Sequence, residues 1–359
     1  MQESKQRRHF WLGMGLSLLC LAAIFLFINP AEIWRALRAA DYGSLMISAF
    51  CVLIFMIIRA VRWRFMLNNA VPWWPVFHIQ NIGYMLINIL PFRLGDVARA
   101  ILIGNVPPVT IARGFSTMVV ERVLDLLFIV TLLPFTLATV PTLPRWMQTA
   151  ARASGILAIG TILVLVLAAN QRPLVRRLSL SLFQLIEKFR QRLVARLKSI
   201  LNWLPALDPP TWAERTDNFL AGLDSLTHFK SGSLLTILSI LTWLPILVAY
   251  YFGLRAVHLQ PTPTMTIFVV CAAAFSVALP SSPGQIGVFH AGVIAALQVL
   301  AQPEAESASF AFLYHAFNMV GLPILLGIIG IYGTGATFAN VIASTQAFMR
   351  RKQEPAKLE

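Results

Sequence analysis

Three residues in one apolar run pose the sharpest chemical question in this sequence. Glu121, Arg122 and Asp125 lie inside the block from Gly114 to Val140. An ionisable group at the centre of a spanning helix costs about 2.5–3.5 kcal/mol, so three unpaired ones approach ~8–10 kcal/mol, comparable to the stability of a whole domain. They must be paired, hydrated or close to the interface. Glu121 and Asp125 are four apart and share a helix face, and Arg122 precedes Asp125 by three. Two acids and one base leave the set short of positive charge. Arg93 and Arg99 are the natural donors for a deep site. An interfacial ion-pair network is the structural alternative.

Those arginines belong to a second polar stretch, Asn88-Ile-Leu-Pro91-Phe-Arg93-Leu-Gly95-Asp96, followed by Arg99. Guanidinium presents a planar fork that grips phosphate through two hydrogen bonds, and a broken helix end adds backbone N–H groups aimed at an anion. Arg62, with Arg59 and Arg64 beside it, is either a simple cytoplasmic anchor or part of the same basic pocket. The candidates for binding a lipid headgroup or phosphate are therefore Arg62, Asn88, Arg93 and Arg99. Asp96, Glu121, Arg122 and Asp125 form the candidate buried charge network.

A third stretch carries no charge: Pro280, Ser281, Ser282, Pro283, Gly284, Gln285 and Gly287, with His290 after it. Glycine allows close backbone approach and positive φ, which suits a break inside the membrane. An extramembrane turn uses similar residues. For His290, His315 and Asn318, the simplest expectation is a satisfied buried polar group. Gly327, Gly330, Gly333 and Gly335 read as helix-packing contacts. The sequence holds no HExxH, no metal-binding aspartate pair, no nucleophile elbow and no nucleotide loop. No catalytic residue, metal or cofactor is expected.

The elements that must hold these residues are membrane helices. Of 359 residues, 57% are hydrophobic and 12% charged, about half the charged share of a soluble domain; mean hydropathy is +0.71. Apolar blocks run over Phe10–Ile28, Ser44–Ile58, Gly114–Val140, Ser154–Ala169, Ser233–Leu254, Thr264–Leu279 and Ser307–Thr334, several near the roughly 20 residues a span needs. The first reads as an uncleaved helix, too long for a signal peptide. Cys20, Cys51 and Cys271 sit in apolar blocks without metal or redox spacing. The net charge of +14 comes without a nucleic-acid recognition motif, so it points to cytoplasmic loops and anionic lipid.

Charge placement sets a topology. Lys5, Arg7 and Arg8 put the N-terminus in the cytoplasm, as Arg350, Arg351 and Lys352 do the C-terminus. The expected architecture is a single all-α membrane domain over 1–359. It has about six full spans and two re-entrant broken segments, 76–104 and 264–300, entering from opposite faces. That pattern suits an inverted repeat with a midplane site; two ordinary short spans per segment is the alternative. Residues 171–230 form a basic amphipathic cytoplasmic insertion, lying on the membrane or serving as a solvated linker, and 340–359 a tail.

In order along the chain, Arg59-Ala-Val-Arg62-Trp63-Arg64, then Asn88 to Arg99, then Glu121-Arg122-Val-Leu-Asp125, then Pro280 to Gly287, resemble the flippase-like membrane domain of lysylphosphatidylglycerol synthases. Stand-alone members of that family occur in bacteria and archaea. The resemblance covers nearly the whole chain. It implies a polytopic protein of the cell membrane that translocates a phospholipid or lipid-linked glycan, or takes part in lipid-linked glycan assembly. Asp96 stands where the family more often has Glu, Gln285 where Gly is common, and His290 where an acid is expected. The chain ends soon after its last helix, so lysyl transfer is not expected. Three functions are consistent with the residues. The first is a flippase acting on a membrane lipid with an anionic or phosphate headgroup. The second is a lipid-binding scaffold for an envelope-biosynthesis protein partner. The third, with least support, is an intramembrane transferase.

Overall fold

The computed structural model describes residues 29–90, 94–138, 171–196, 208–213, 229–278 and 282–335, with scattered positions in 15–26 and 145–160 and at Asn340. The described residues form helices and turns and contain no strand: this is an all-α polytopic membrane protein. The chain divides into two compact units, Met1–Ile156 with Ile237–Glu359, and Leu157–Thr236.

The first unit begins with a short helix, α1 (Pro30–Ala39), capped by the Asn29 side chain. Helix α2 (Tyr42–Met66) is capped by Asp41. The Ser44 hydroxyl donates to the same carboxylate and holds it below the usual carboxylate range. α2 is apolar and long enough to cross a bilayer. The chain then runs through α3 (Trp73–Ile89), which ends at Leu90, and α4 (Leu94–Gly104). α5 (Ile111–Leu137) follows, capped by Thr110. Later in the chain come α7 (Phe229–Ala256), whose residues up to Thr236 belong to the second unit, α8 (Pro263–Ala278), a short 3-10 turn at Pro283–Gln285, and α9 (Val288–Val299). α10 (Glu304–Thr334) is one continuous helix of 31 residues, π-helical over His315–Gly321.

Of the six expected full spans, α2, α7 and α10 meet both length and hydropathy for crossing a membrane. α5 has the length but carries Glu121, Arg122 and Asp125. The spans expected at Phe10–Ile28 and Ser154–Ala169 fall largely outside the described residues.

The arms of the broken segments are shorter: 17 and 11 residues in α3 and α4, 16 and 12 in α8 and α9. None reaches the roughly 20 residues of a span. Their placement follows from α10. α3 starts at the C-terminal end of α10, where His78 meets Gly330 and Gly333, and runs back along it past Gly327. It ends where the Asn88 side-chain amide donates to the Met319 carbonyl, 3.0 Å away. The other segment leaves from the opposite end, since α9 leads directly into the N-terminus of α10. Its break also meets the middle of α10: His315 Nε2 donates to the Gly284 carbonyl at 2.7 Å. The two broken segments therefore come from opposite ends of α10 and meet at its midpoint.

Packing between the halves is reciprocal. α3 lies on α10, the last helix of the other half, and α8 lies on α5, the last helix of the first half. α4 packs on α5 as α9 packs on α10. Exchanging the halves preserves all four relations, as an internal repeat requires. Glycines make the close approaches possible. A Cβ at Gly95 would overlap the Gly83 carbonyl oxygen between α3 and α4, and one at Gly292 would overlap Ser276 Oγ between α8 and α9.

The second unit holds α6 (Arg172–Arg196) and a helical turn at 209–213. Phe183 of α6 packs on Trp212, with ring centroids 6.0 Å apart.

Candidate functional site

α2, α4 and α5 bring seven charged side chains together. Glu121 is 1% exposed. It accepts from Arg59 through Nη2 at 2.5 Å and Nε at 3.0 Å, and from Arg99 Nη2 at 3.2 Å. Asp125, one turn on, accepts from Arg59 Nη2 at 2.6 Å and Arg62 Nη2 at 3.0 Å. Asp96 on α4 accepts from Arg122 at 2.9 Å. Arg99 also lies over two aromatic rings, its guanidinium carbon 4.3 Å from the Trp63 centroid and 5.4 Å from that of Tyr84, a further stabilisation of a desolvated cation. Trp63 is fixed in turn by its indole N–H donating to Thr117 at 3.0 Å.

Among the described residues, four guanidiniums thus meet three carboxylates, a net charge of +1 for that set. Arg62 and Arg99 are fully buried and directed at carboxylates. Arg122 is the open member, its side chain 35% exposed.

At the midpoint of α10 a second polar group has no charge. Gly284 and Gln285 hold φ of 68° and 60°, and Gly287 of 85°. Left-handed backbone is easy for glycine and uncommon for glutamine. Gly287 N–H donates to His290 Nδ1 at 3.2 Å. The His290 and His315 rings lie against each other, with centroids 4.6 Å apart and planes inclined by 54°. Asn318 donates to Ser48 Oγ at 2.9 Å, and Ser48 donates to the Ala249 carbonyl at 2.7 Å, which ties the π-helical stretch to α2 and α7. Such π-helical insertions recur at functional sites.

A cavity of about 230 Å³ lies between the two groups. One side holds Arg59, Arg122 and Tyr84, the other Asn88, Gln285 and Asn318; Phe55, Trp243, Tyr250 and Phe289 supply much of the apolar lining. Four buried polar atoms of its lining residues, the Tyr84 and Tyr314 hydroxyls, the Trp243 indole N–H and Asn318 Oδ1, have no hydrogen-bond partner among the described residues. Buried polar atoms rarely stay unpaired, so four such atoms around one cavity are an unusual concentration. No cluster of three or more metal-ligating side chains occurs among the described residues.

The family model for the lysylphosphatidylglycerol synthase TM region matches residues 10–327. The chain belongs to this family. Its relatives include two UPF0104 membrane proteins of Methanothermobacter thermautotrophicus. One is 25% identical over 86% of this chain and 88% of its own length; the other is 23% identical over 52% and 59%. Glycosyltransferase AglD of Haloferax volcanii is 29% identical over 33% of this chain and 19% of its own. No solved structure matches.

For this member of the synthase TM-region family, the structure sorts the candidate residues by environment. Arg62, Arg99, Asp96, Glu121, Arg122 and Asp125 join one network. Asn88 stands apart from it, at the tip of α3 beside Gly284. Pro283, Gly284 and Gly287 form the second break, with His290 on the first turn of α9. Arg93, Pro280 and Ser281 lie outside the described residues. Arg59 is the residue whose place the sequence left open: read as an anchor or a phosphate ligand, it is the central counter-ion of both Glu121 and Asp125. No spacing marks it in the sequence, because the residues preceding it in α2 are apolar on almost every face.

Proposed function

We propose that this protein binds a membrane lipid through its phosphate-bearing headgroup at the midpoint cavity and carries that headgroup across the cytoplasmic membrane. The observation that carries this reading is the cavity itself. It sits where two opposed broken segments meet, and it combines an aromatic, apolar lining with Arg59 and Arg122 from a cluster of net charge +1. An anion neutralises that surplus, and an apolar lining accepts the adjoining glycerol or prenyl carbons. Broken helices at a midplane site are the common device of alternating access.

The topology proposed with it places both termini in the cytoplasm. Arg62 and Arg64 then lie toward the cytoplasmic end of α2, and the first broken segment enters from that side. Phospholipids and lipid-linked glycans share the phosphate this chemistry recognises.

The test is reconstitution of the full chain into vesicles carrying phosphatidylglycerol with a fluorescent headgroup, with dithionite reporting which leaflet holds the label. Wild-type protein is expected to expose inner-leaflet label, and Arg122→Gln to slow exposure roughly tenfold or more, the worth of one charge-assisted hydrogen bond. Equal rates for the wild type, a correctly folded Arg122→Gln and protein-free vesicles would overturn the proposal. A prenyl-phosphate probe run in parallel separates the two lipid classes.

A further inference from the structure

α6 stands apart from the transport reading. It is a 25-residue helix with seven basic residues, Arg172, Arg176, Arg177, Lys188, Arg190, Arg192 and Arg196, against the single acid Glu187. Such charge rules it out as a span. Its apolar residues are nonetheless arranged with care. Leu174, Leu178, Leu182, Leu185 and Phe189 follow spacings of four, four, three and four, which places them along one face. All five are 54–65% exposed. The opposite face is the one that packs within its own unit, through buried Ser179 and the Phe183–Trp212 contact. A solvated linker helix would turn its leucines inward. This helix turns them out and flanks them with cations, as Arg177 and Lys188 do on one side of the stripe.

We propose that α6 is a membrane-surface helix: its leucine–phenylalanine face inserts at the boundary between headgroups and acyl chains, and its arginines and lysine bind anionic phospholipid headgroups. The charge decides the occupant. A helix of net charge +6 with one continuous apolar stripe is complementary to a negatively charged bilayer surface, where each basic residue contributes attraction and each buried CH₂ adds to it. The interaction is independent of the cavity, so it holds whether or not the protein moves lipid.

The test uses the full chain, with its native cysteines replaced, in vesicles. An environment-sensitive fluorophore is attached at Leu182→Cys on the stripe or at Gln184→Cys on another, exposed face. In vesicles of phosphatidylglycerol and phosphatidylcholine, the Leu182 probe is expected to be quenched by doxyl-labelled lipid and protected from iodide. The Gln184 probe should show the reverse. Pure phosphatidylcholine, or Arg176→Gln/Arg177→Gln/Lys188→Gln in the mixed vesicles, should cost the Leu182 probe its lipid quenching. Raising salt to 1 M, where screening acts over about 3 Å, should weaken it. Quenching of the Leu182 probe by iodide in anionic vesicles would overturn the proposal. Protection from both quenchers would also overturn it, by showing that protein covers the stripe. Lipid quenching that ignores headgroup charge would remove the role assigned to the arginines.

Discussion

The two broken segments share a topology and differ in their chemistry. The first packs its polar atoms as charges: Asp96 and Arg99 on α4 meet Glu121, Arg122 and Asp125 on α5 and Arg59 and Arg62 on α2. The second packs its polar atoms as neutral groups, with left-handed Gly284 and Gln285, a histidine pair and backbone carbonyls. A buried charge requires a counter-charge, so the first break is bound to two other helices through ion pairs. A neutral break needs only hydrogen bonds and close packing, and the second packs on the tip of α3 and accepts a hydrogen bond from His315 of α10. Under the proposed function, anion recognition would fall to the charged half and adjustable closure to the neutral half, because short neutral contacts are cheaper to exchange than buried ion pairs.

The largest effect is expected where that contrast is sharpest. Glu121→Gln keeps the shape of the side chain and removes the carboxylate shared by Arg59 and Arg99. Breaking a buried pair by deleting one partner costs about 3–5 kcal/mol, since it strands the other charge. Thermal unfolding of the purified protein in detergent should show the loss. Arg59→Gln added to Glu121→Gln should recover part of it, as a coupled pair requires. A double variant whose loss equals the sum of the two single losses would dissolve the network into independent contacts.

The next effect compares helix contacts within the two segments. Gly95→Ala would drive a methyl into the Gly83 carbonyl, and backbone cannot step aside; Gly292→Ala would strike the Ser276 side chain. Overpacking costs about 1–3 kcal/mol, with Gly95→Ala at the high end. Ser276→Gly combined with Gly292→Ala should regain stability in the same unfolding assay, whereas the Gly83 carbonyl has no side chain to trim. Equal losses at Gly95 and Gly292, with no rescue, would show that the two hairpins are equally rigid.

His315→Leu tests the neutral half alone. It removes the donor to the Gly284 carbonyl while keeping an apolar side chain, and should cost about 1 kcal/mol, the net worth of an uncharged hydrogen bond. Hydrogen exchange should rise at Gln285 to Gly287 and remain unchanged around Glu121. Faster exchange at both would mean that the two halves open as one unit.

Much of this arrangement was legible in the sequence, and the limits are instructive. Apolar blocks marked α2, α7 and α10, because twenty apolar residues have few alternatives. Pro, Gly and Asn marked both breaks through their backbone preferences. The i, i+4 spacing put Glu121 and Asp125 on one face, and of the two donors expected for them Arg99 pairs with Glu121 while Arg93 lies outside the described residues. The particular donor was harder to find. Arg59 reaches Glu121 across 62 residues of chain, and nothing local distinguishes an arginine facing a carboxylate from one anchoring a helix at lipid headgroups. The π-helical stretch of α10 was also invisible, since His315 to Gly321 contains no breaker apart from its final glycine. It arises from tertiary bonds, Asn318 to Ser48 and Asn88 to the Met319 carbonyl. Local preference finds elements and breaks; pairing between distant elements decides the site.

The smallest expected stability change falls at Arg122, and it separates structural charge from functional charge. Its pairing with Asp96 at 2.9 Å resembles the others in distance, yet 35% of its side chain is exposed. A screened, partly solvated pair contributes about 0–1 kcal/mol. Arg122→Gln should therefore unfold close to the wild-type temperature, unlike Glu121→Gln. It should also remove the surplus positive charge, so protection against thermal unfolding by added phosphatidylglycerol should fall while that by phosphatidylcholine stays the same. Arg122→Lys keeps a point charge but loses the planar fork, and should restore part of that protection. If Arg122→Gln destabilised the protein as much as Glu121→Gln, all four arginines would be structural. The charged half would then hold helices together without reading a headgroup.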